Sequence, residues 1–346
     1  MTHATQLAMD LTERGWIPEP LVRGGIRRLI RSRLRDIGAG DCEQMIEETR
    51  DFVAAMNQSC IAPLPDKANE QHYEIPPEFF RLVLGSNRKY SSCYWPAGVD
   101  SLDQAEEQAL ALTCERAGLV NGQRILELEC GWGSLTLWMA TRYPNSQIVA
   151  VSNSAPQRKF IEAEAKRGGL SNLQIVTADM NEFSTFEQFD RVVSVEMFEH
   201  MRNYRSLFRR VHDWLDADGQ FFMHIFCHRA AVYEFTVRDE TDWMSQYFFS
   251  GGIMPSEDLP LRFQDDLKLE DMWRWNGKHY ARTANAWLDN MTRNRSRIMP
   301  ILIDTYGEDE AHQWWMRWRV FFMACAELFG FDEGQQWWVA HYLFKV

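Results

Sequence analysis

Arg124-Ile125-Leu126-Glu127-Leu128-Glu129-Cys130-Gly131-Trp132-Gly133 is the stretch on which the fold turns. The run Arg124–Glu129 reads as a strand, the glycines make a turn, and Ser134–Tyr143 follows as a helix. Further strand-like runs come at Gln147–Ser152, Leu173–Thr177, Asp190–Val195 and Gly219–Phe226, separated by helical segments such as Ala155–Gly168 and Tyr204–Leu215. Such alternation predicts an α/β fold, a mostly parallel sheet wrapped by helices, and right-handed crossovers make it doubly wound and Rossmann-like. Trp337–Val346 reads as one more strand, returning to the sheet after a long insert.

Outward from this core, residues 1–100 are predicted to form a helical N-terminal extension and lid. Residues 101–230 form the ligand-binding core, 231–335 a helical insert that shapes a substrate pocket, and 336–346 the final strand. Ser101 is a plausible N-cap for a helix over 101–118. The segment Leu21–Arg35, LVRGGIRRLIRSRLR, places apolar residues at helical spacing with arginines around them. It suits a surface helix packed on the body or, in the other reading, a helix touching an anionic lipid surface. There is no internal repeat and no low-complexity tract.

The bulk numbers exclude several classes. The chain has 346 residues, 45% of them hydrophobic and 25% charged, which is ordinary globular composition and not that of a disordered chain. Its formal net charge of −12 would repel a phosphate backbone, so no nucleic-acid partner is expected. The 7 cysteines follow no pairing pattern and include no C-x-x-C, which fits a reducing compartment. The N-terminus lacks a basic stretch followed by an apolar core, and no run reaches the roughly 18 apolar residues of a membrane span, so the expectation is a soluble, cytoplasmic protein. Among the histidines 200, 212, 224 and 228 there is no H-E-x-x-H-type pair, and no metal is expected. The 14 tryptophans serve either as large core side chains or as an aromatic cavity for a cationic or apolar ligand. The same aromatic excess allows a homodimer.

A glycine turn after a first strand lets the backbone approach a nucleotide-like ligand, and NAD, FAD and S-adenosylmethionine sites share that logic. Glu127 and Glu129 narrow the choice. Carboxylates repel a pyrophosphate, whereas they suit the ammonium and sulfonium groups of S-adenosylmethionine. The second strand ends in Ser152-Asn153-Ser154, where a ribose-binding polar group belongs. The third ends near Asp179-Met180, where Asp179 could accept from an adenine amino group and Met180 pack on the ring. These polar residues sit at successive strand C-termini, as the crevice rule for open α/β sheets requires. The fourth strand runs into Val195-Glu196-Met197-Phe198-Glu199-His200-Met201. In-line methyl transfer needs a lone pair on the acceptor. An aliphatic amine is protonated near neutral pH, so a base helps, and Glu196, Glu199 and His200 are the candidates.

Several longer segments carry a resemblance. They are Ala68–Pro76 (ANEQHYEIP), Lys89–Trp95 (KYSSCYW), Cys130–Thr136 (CGWGSLT), Glu196–Met201, Tyr247–Pro255 (YFFSGGIMP), Asn276–Ala281 (NGKHYA) and Trp318–Phe322 (WRVFF). In this order they resemble the cyclopropane fatty-acid synthase-like methyltransferases, most of all the coclaurine and pavine N-methyltransferase branch. The resemblance implies a Rossmann-like class I methyltransferase fold, S-adenosylmethionine as cofactor and transfer of a methyl group to a small amine. It implies that Tyr90, Ser91, Gly131, Asn153, Gln157, Asp179 and Met180 line the cofactor site, together with the loop residues Glu129 and Gly133. Glu196, Glu199 and His200 would face the amine, with His200 and Glu199 as the base pair. Tyr73, Glu74, His224, Tyr280, Trp318 and Phe321 would shape the substrate pocket.

The chain departs from the family at two places. Family members carry glycine where this chain has Glu129, which is expected to turn toward the cofactor's amino group or outward. Cyclopropane synthases keep a cysteine at the position of Ser92, within a bicarbonate site that serves as base. Here the cysteine is Cys93, while Glu199, His224 and Tyr280 match that site. The alternative to an amine acceptor is therefore methyl or methylene transfer to unsaturated acyl chains of phospholipids, and only that reading calls for contact with a membrane. A binding module disabled by Glu129 is the third reading.

Overall fold

Five strands form the parallel part of one sheet: β1 (Arg124–Leu128), β2 (Gln147–Ser152), β3 (Leu173–Thr177), β4 (Phe189–Val195) and β5 (Leu215–His228). In this computed structural model, which describes residues 3–38, 41–64, 75–236 and 242–346, all five are parallel. They continue into β9 (Trp337–Lys345), antiparallel to β5, and β8 (Lys268–Trp275), antiparallel to β9. The strand order is β3-β2-β1-β4-β5-β9-β8, so the sheet reverses direction of growth beside β1. That switch point opens the ligand crevice at the strand C-termini.

The crossover helices begin where short polar side chains can hold free N–H groups. Ser101 and Gln104 close a capping box on α5 (Leu102–Arg116). Ser154 caps α7 (Ala155–Gly168) and Asn203 caps α8 (Tyr204–Trp214). Helix α6 (Ser134–Arg142) starts at Gly133 in a left-handed conformation with φ 79°. A Cβ there would lie 2.6 Å from Ile161 Cγ1, so the glycine lets α6 and α7 pack closely.

The insert over 231–335, expected to be helical, carries strands as well. It carries α9 (Trp243–Tyr247), the short pair β6 (Tyr233–Glu234) and β7 (Ile253–Met254), and then β8, which joins the main sheet as its edge strand. Helices α10 (Gly277–Arg293), α11 (Arg295–Tyr306) and α12 (Glu308–Gly330) follow. The N-terminal α1 (His3–Glu13), α2 (Glu19–Asp36), α3 (Cys42–Met56) and α4 (Pro77–Val83) complete the α-helices of the described residues. Part of the basic face of α2 is used on the body: Arg23 and Arg27 both pair with Glu327 of α12, at 3.0 and 2.8 Å. Much of the tryptophan excess is structural, with Trp275, Trp318 and Trp337 each at most 1% exposed. Among the described residues no helix is long and apolar enough to cross a membrane.

Candidate active site

One crevice at the strand C-termini is lined by two chemically different walls. The first comes from the ends of β1, β2 and β3 and holds Glu127, Glu129, Gly131, Asn153, Asp179 and Met180. Glu127 accepts from Thr136 Oγ1 at 2.5 Å, and burial pushes its carboxyl up to about 8. Glu129 follows the last residue of β1 with φ 55°, a left-handed value costly for any side chain but glycine. Its side chain lines the crevice, and burial pushes its carboxyl up to about 8 as well. The Asn153 N–H it accepts works against that shift, while the nearby Asp179 adds to it. Buried Glu127, half-buried Glu129 and Asp179 share this wall, where desolvated negative charge is costly without a cation. The donor set therefore fits S-adenosylmethionine, whose sulfonium and ammonium supply positive charge and whose hydroxyls can donate to carboxylates. A pyrophosphate would meet carboxyls. At Gly131, with φ 53°, a Cβ would meet nothing within 4 Å, so it would project into open crevice.

Two expected members of this wall act from behind it. Gln157 is fully buried in the first turn of α7, and its Oε1 accepts from Ser152 Oγ at 2.6 Å, which braces the turn after β2 and does not line the crevice. Gly133 contributes through helix packing, as described above. Tyr90 and Ser91 do line the crevice. Asn181 ties the wall to the N-terminal part, exchanging hydrogen bonds with the backbone of Ala62 at 2.9 and 2.8 Å.

The second wall is built around Glu196, which follows the last residue of β4 with φ 51°. Its Oε1 accepts from the Ser92 N–H at 2.9 Å and lies 3.2 Å from His224 Nε2. Its Oε2 accepts from Tyr280 Oη at 2.8 Å. Burial raises this carboxyl above the usual range, while the Lys89 ammonium and these donors pull it back. His200, one turn further on, lines the crevice with its ring 4.6 Å from that of Phe249. Burial holds its imidazole down at about 4 against the pull of Glu196, so the ring is neutral with a lone pair near pH 7. Phe226, Phe249, Trp287, Phe321 and Phe329 face the same space, with Tyr280 stacked on Phe329 at 4.2 Å.

Three expectations are corrected here. Glu199 does not line the crevice. It is fully buried, its Oε1 accepts from the Phe226 N–H at 2.7 Å, and burial beside Glu196 raises its carboxyl well above the usual range, so it braces the 198–200 turn from below. His224 touches Glu196 from within the sheet and does not meet the crevice. Trp318 is fully buried behind Phe321, 5.9 Å between ring centres, and supports the wall without reaching it. Tyr73 and Glu74 lie outside the described residues. Lys89, Phe249 and Phe329 went unrecognised as site residues. Lys89 heads the segment KYSSCYW, but no spacing argument shows that its ammonium is buried beside a glutamate over a hundred residues away.

A family model described as mycolic acid cyclopropane synthetase matches residues 65–337. The (S)-coclaurine N-methyltransferase of Thalictrum flavum subsp. glaucum is 36% identical over 337 residues, 96% of this chain and 93% of that one. That of Papaver somniferum is 34% identical over 96% of each chain. Cyclopropane-fatty-acyl-phospholipid synthase of Escherichia coli (strain K12) is 31% identical over 69% of this chain and 59% of its own. Among solved structures, a coclaurine N-methyltransferase bound to N-methylheliamine and SAH superposes with a TM-score of 0.95 and 35% identity, covering 99% of this chain and 100% of that one. The mycolic acid cyclopropane synthase CmaA1, at 21% identity and a TM-score of 0.70 over 83% of this chain and 99% of that one, shares the fold. The chain belongs to the mycolic acid cyclopropane synthetase family, within the S-adenosylmethionine-dependent methyltransferases.

Proposed function

We propose that the chain methylates the nitrogen of a small aromatic amine, of the tetrahydroisoquinoline or phenethylamine kind. The observation that carries this reading is the Glu196 carboxylate set into a wall rich in aromatic rings. An ammonium attached to an aromatic ring finds there both its counter-charge and faces for its ring. The likeness to proteins named coclaurine N-methyltransferases supports it.

Bound S-adenosylmethionine supplies an electrophilic methyl group for in-line transfer. Tyr90, Ser91, Gly131, Asn153, Asp179 and Met180, with Glu129, hold that cofactor along the first wall. Glu196 draws the ammonium in and orients its nitrogen, and such alignment is worth up to about 7–11 kcal/mol in favourable cases. His200 accepts the proton that the amine must lose, and Glu196 stabilises the imidazolium as it forms. Glu199 keeps the turn that carries His200 in place. Transfer to unsaturated phospholipid is disfavoured by the same carboxylate. His224 and Tyr280, two positions that match a bicarbonate site, are already engaged by Glu196, and an external anion would meet a like charge.

The test is a labelled-methyl transfer assay with phenethylamines, tetrahydroisoquinolines and liposomes of unsaturated phospholipid. Label on a cyclic or aromatic amine is the expected result. Label confined to acyl chains, or no turnover with any acceptor while the cofactor binds, overturns the proposal. In the same assay His200→Ala should lower turnover by about 10²-fold or more with cofactor affinity unchanged. An unaffected rate across pH 6–9 would remove His200 from the mechanism.

A further inference from the structure

Behind Glu196 a line of side chains runs away from the crevice through the sheet. His224 on β5 and His341 on β9 are direct cross-strand partners, and both are fully buried. His224 Nδ1 lies 2.9 Å from His341 Nε2, and His341 Nδ1 lies 2.9 Å from Arg116 Nη1 at the end of α5. The guanidinium of Arg116 also sits over the rings of Trp273 and Trp275 of β8, 5.1 and 5.8 Å from their centres. The line therefore reads Arg116, His341, His224, Glu196.

The chemistry of its far end fixes every proton along it. A guanidinium has only donors and stays charged in proteins. Burial and the neighbouring positive charges push both imidazoles well below their usual range, so each ring is neutral and carries one N–H. His341 Nδ1 faces Arg116 and must accept, which places its N–H on Nε2. His224 Nδ1 must then accept from His341, which places the His224 N–H on Nε2, aimed at Glu196 Oε1. In the opposite arrangement an imidazole N–H would point at a guanidinium N–H.

We propose that Arg116 is a positioning residue for the acceptor site, acting through His341 and His224 to keep an N–H donor on Glu196. The inference rests on the reading of Glu196 as partner of the substrate ammonium. With the Ser92 N–H, the His224 N–H and the Tyr280 hydroxyl all donating, Glu196 is held as an acceptor whose carboxylate stays turned to the crevice. Neither histidine can take a proton from Glu196 while Arg116 remains, because the ring nitrogen that faces the carboxylate is already protonated. The proton released on methylation leaves on the crevice side, by way of His200, and not through the sheet.

The experiment reads tautomers first and kinetics second. In the resting protein, ¹⁵N spectra of the histidine rings near pH 7.5 should show Nδ1 unprotonated and Nε2 protonated in both His224 and His341. In Arg116→Met, which keeps the stem and removes the donors, His341 should pass to a mixture of tautomers. The KM for the amine should rise by about tenfold, with kcat changed less and cofactor affinity unchanged. Arg116→Lys, again donor-only, should restore both the spectra and the KM. A packing role alone predicts loss of stability with the tautomers intact. A wild-type spectrum with either Nδ1 protonated overturns the proposal, as does a folded Arg116→Met with unchanged tautomers. If Arg116→Met fails to fold, the wild-type and Arg116→Lys spectra decide. If the spectra agree but the protein methylates no amine, the relay stands and the functional reading falls.

Discussion

Glu129 and Glu196 occupy equivalent places on two paired strands. Each is the first residue past the end of its strand, β1 or β4, each has a positive φ, and burial raises the carboxyl of each. Their surroundings differ. Glu196 collects three donors and a neighbouring Lys89 ammonium. Glu129 has the Asn153 N–H to weigh against the charge of Asp179. The parallel sheet delivers both carboxyls to one crevice, and the neighbours decide what each can do. One is built to persist as an anion facing a substrate. The other becomes comfortable as an anion when a cation arrives beside it. Two strained glutamates at a ligand crevice fit the tendency of backbone strain to gather at functional sites.

The largest effect should come from removing the charge on the donor-rich side. Glu196→Gln keeps the shape and loses the anion that steers and orients the ammonium. Turnover of the amine should fall by about 10²- to 10⁴-fold, while calorimetry finds cofactor binding within a few-fold of the parent. Equal losses at both walls would erase the distinction between them. Gly131→Val tests the other wall in return. A β-branched residue would have to hold φ 53°, at a cost of about 1–2 kcal/mol or more, and its side chain would project into the cofactor space. Cofactor affinity should drop by about 10- to 100-fold, with the KM for the amine little altered.

The two walls were unequally legible in the sequence. Apart from Tyr90 and Ser91, the cofactor wall comes from the stretch 127–180, with most of its positions just past a strand, so strand prediction and the crevice rule nearly suffice to find that part. Glu129, Gly131, Asn153, Asp179 and Met180 all fall where that reasoning puts them. It misplaced Gln157, because a polar residue in the first helical turn can face either the ligand or the turn itself, and here Ser152 claims it. The acceptor wall is assembled from the KYSSCYW segment, the turn after β4, the end of β5 and helices α10 and α12. Local periodicity says that Trp318 and Phe321 share one side of a helix, but it does not say which of them is in front. For the same reason β8 was taken for part of a helical insert. Its register is set by pairing with β9, seventy residues later in the chain, and not by a clear alternation of its own.

Burial raises glutamates on both walls, and the pH dependence of stability reads them together. Glu127 and Glu129 have folded pKa values near 8, against about 4.5 for an ordinary glutamate. Between those values the folded chain holds protons that the unfolded chain has lost, so their contribution to stability declines as pH rises toward 8. His200, held down at about 4 from 6.5, acts in the opposite sense and costs stability as pH falls through that window. Without ligand, the melting temperature should therefore fall between pH 6.5 and 8. Saturating S-adenosylmethionine should reduce that slope, because a cation beside the first wall favours its ionised form. A melting curve flat across this range, with and without cofactor, would show that the raised carboxyls do not titrate as their burial implies.

The smallest effect belongs to Glu129→Gly, which removes a carboxyl from the first wall. Two terms act on the free protein. Glycine relieves a left-handed backbone, worth about 1–2 kcal/mol, but gives the unfolded chain more freedom, worth about 0.5–1 kcal/mol. The net change near pH 6 should be within about 1 kcal/mol of zero, on the stabilising side. Near pH 8 the gain should be larger, since the substitution also deletes a buried carboxyl that the wild-type fold must ionise there. Cofactor affinity should move the other way and weaken by about three- to tenfold, because the wall loses a carboxylate partner for positive charge. Stabilisation of the free protein together with weaker cofactor binding is the signature of a side chain kept for a ligand at the expense of the fold. If Glu129→Gly instead binds S-adenosylmethionine more tightly, the side chain obstructs the site, and the likeness between Glu129 and Glu196 ends at their backbone angles.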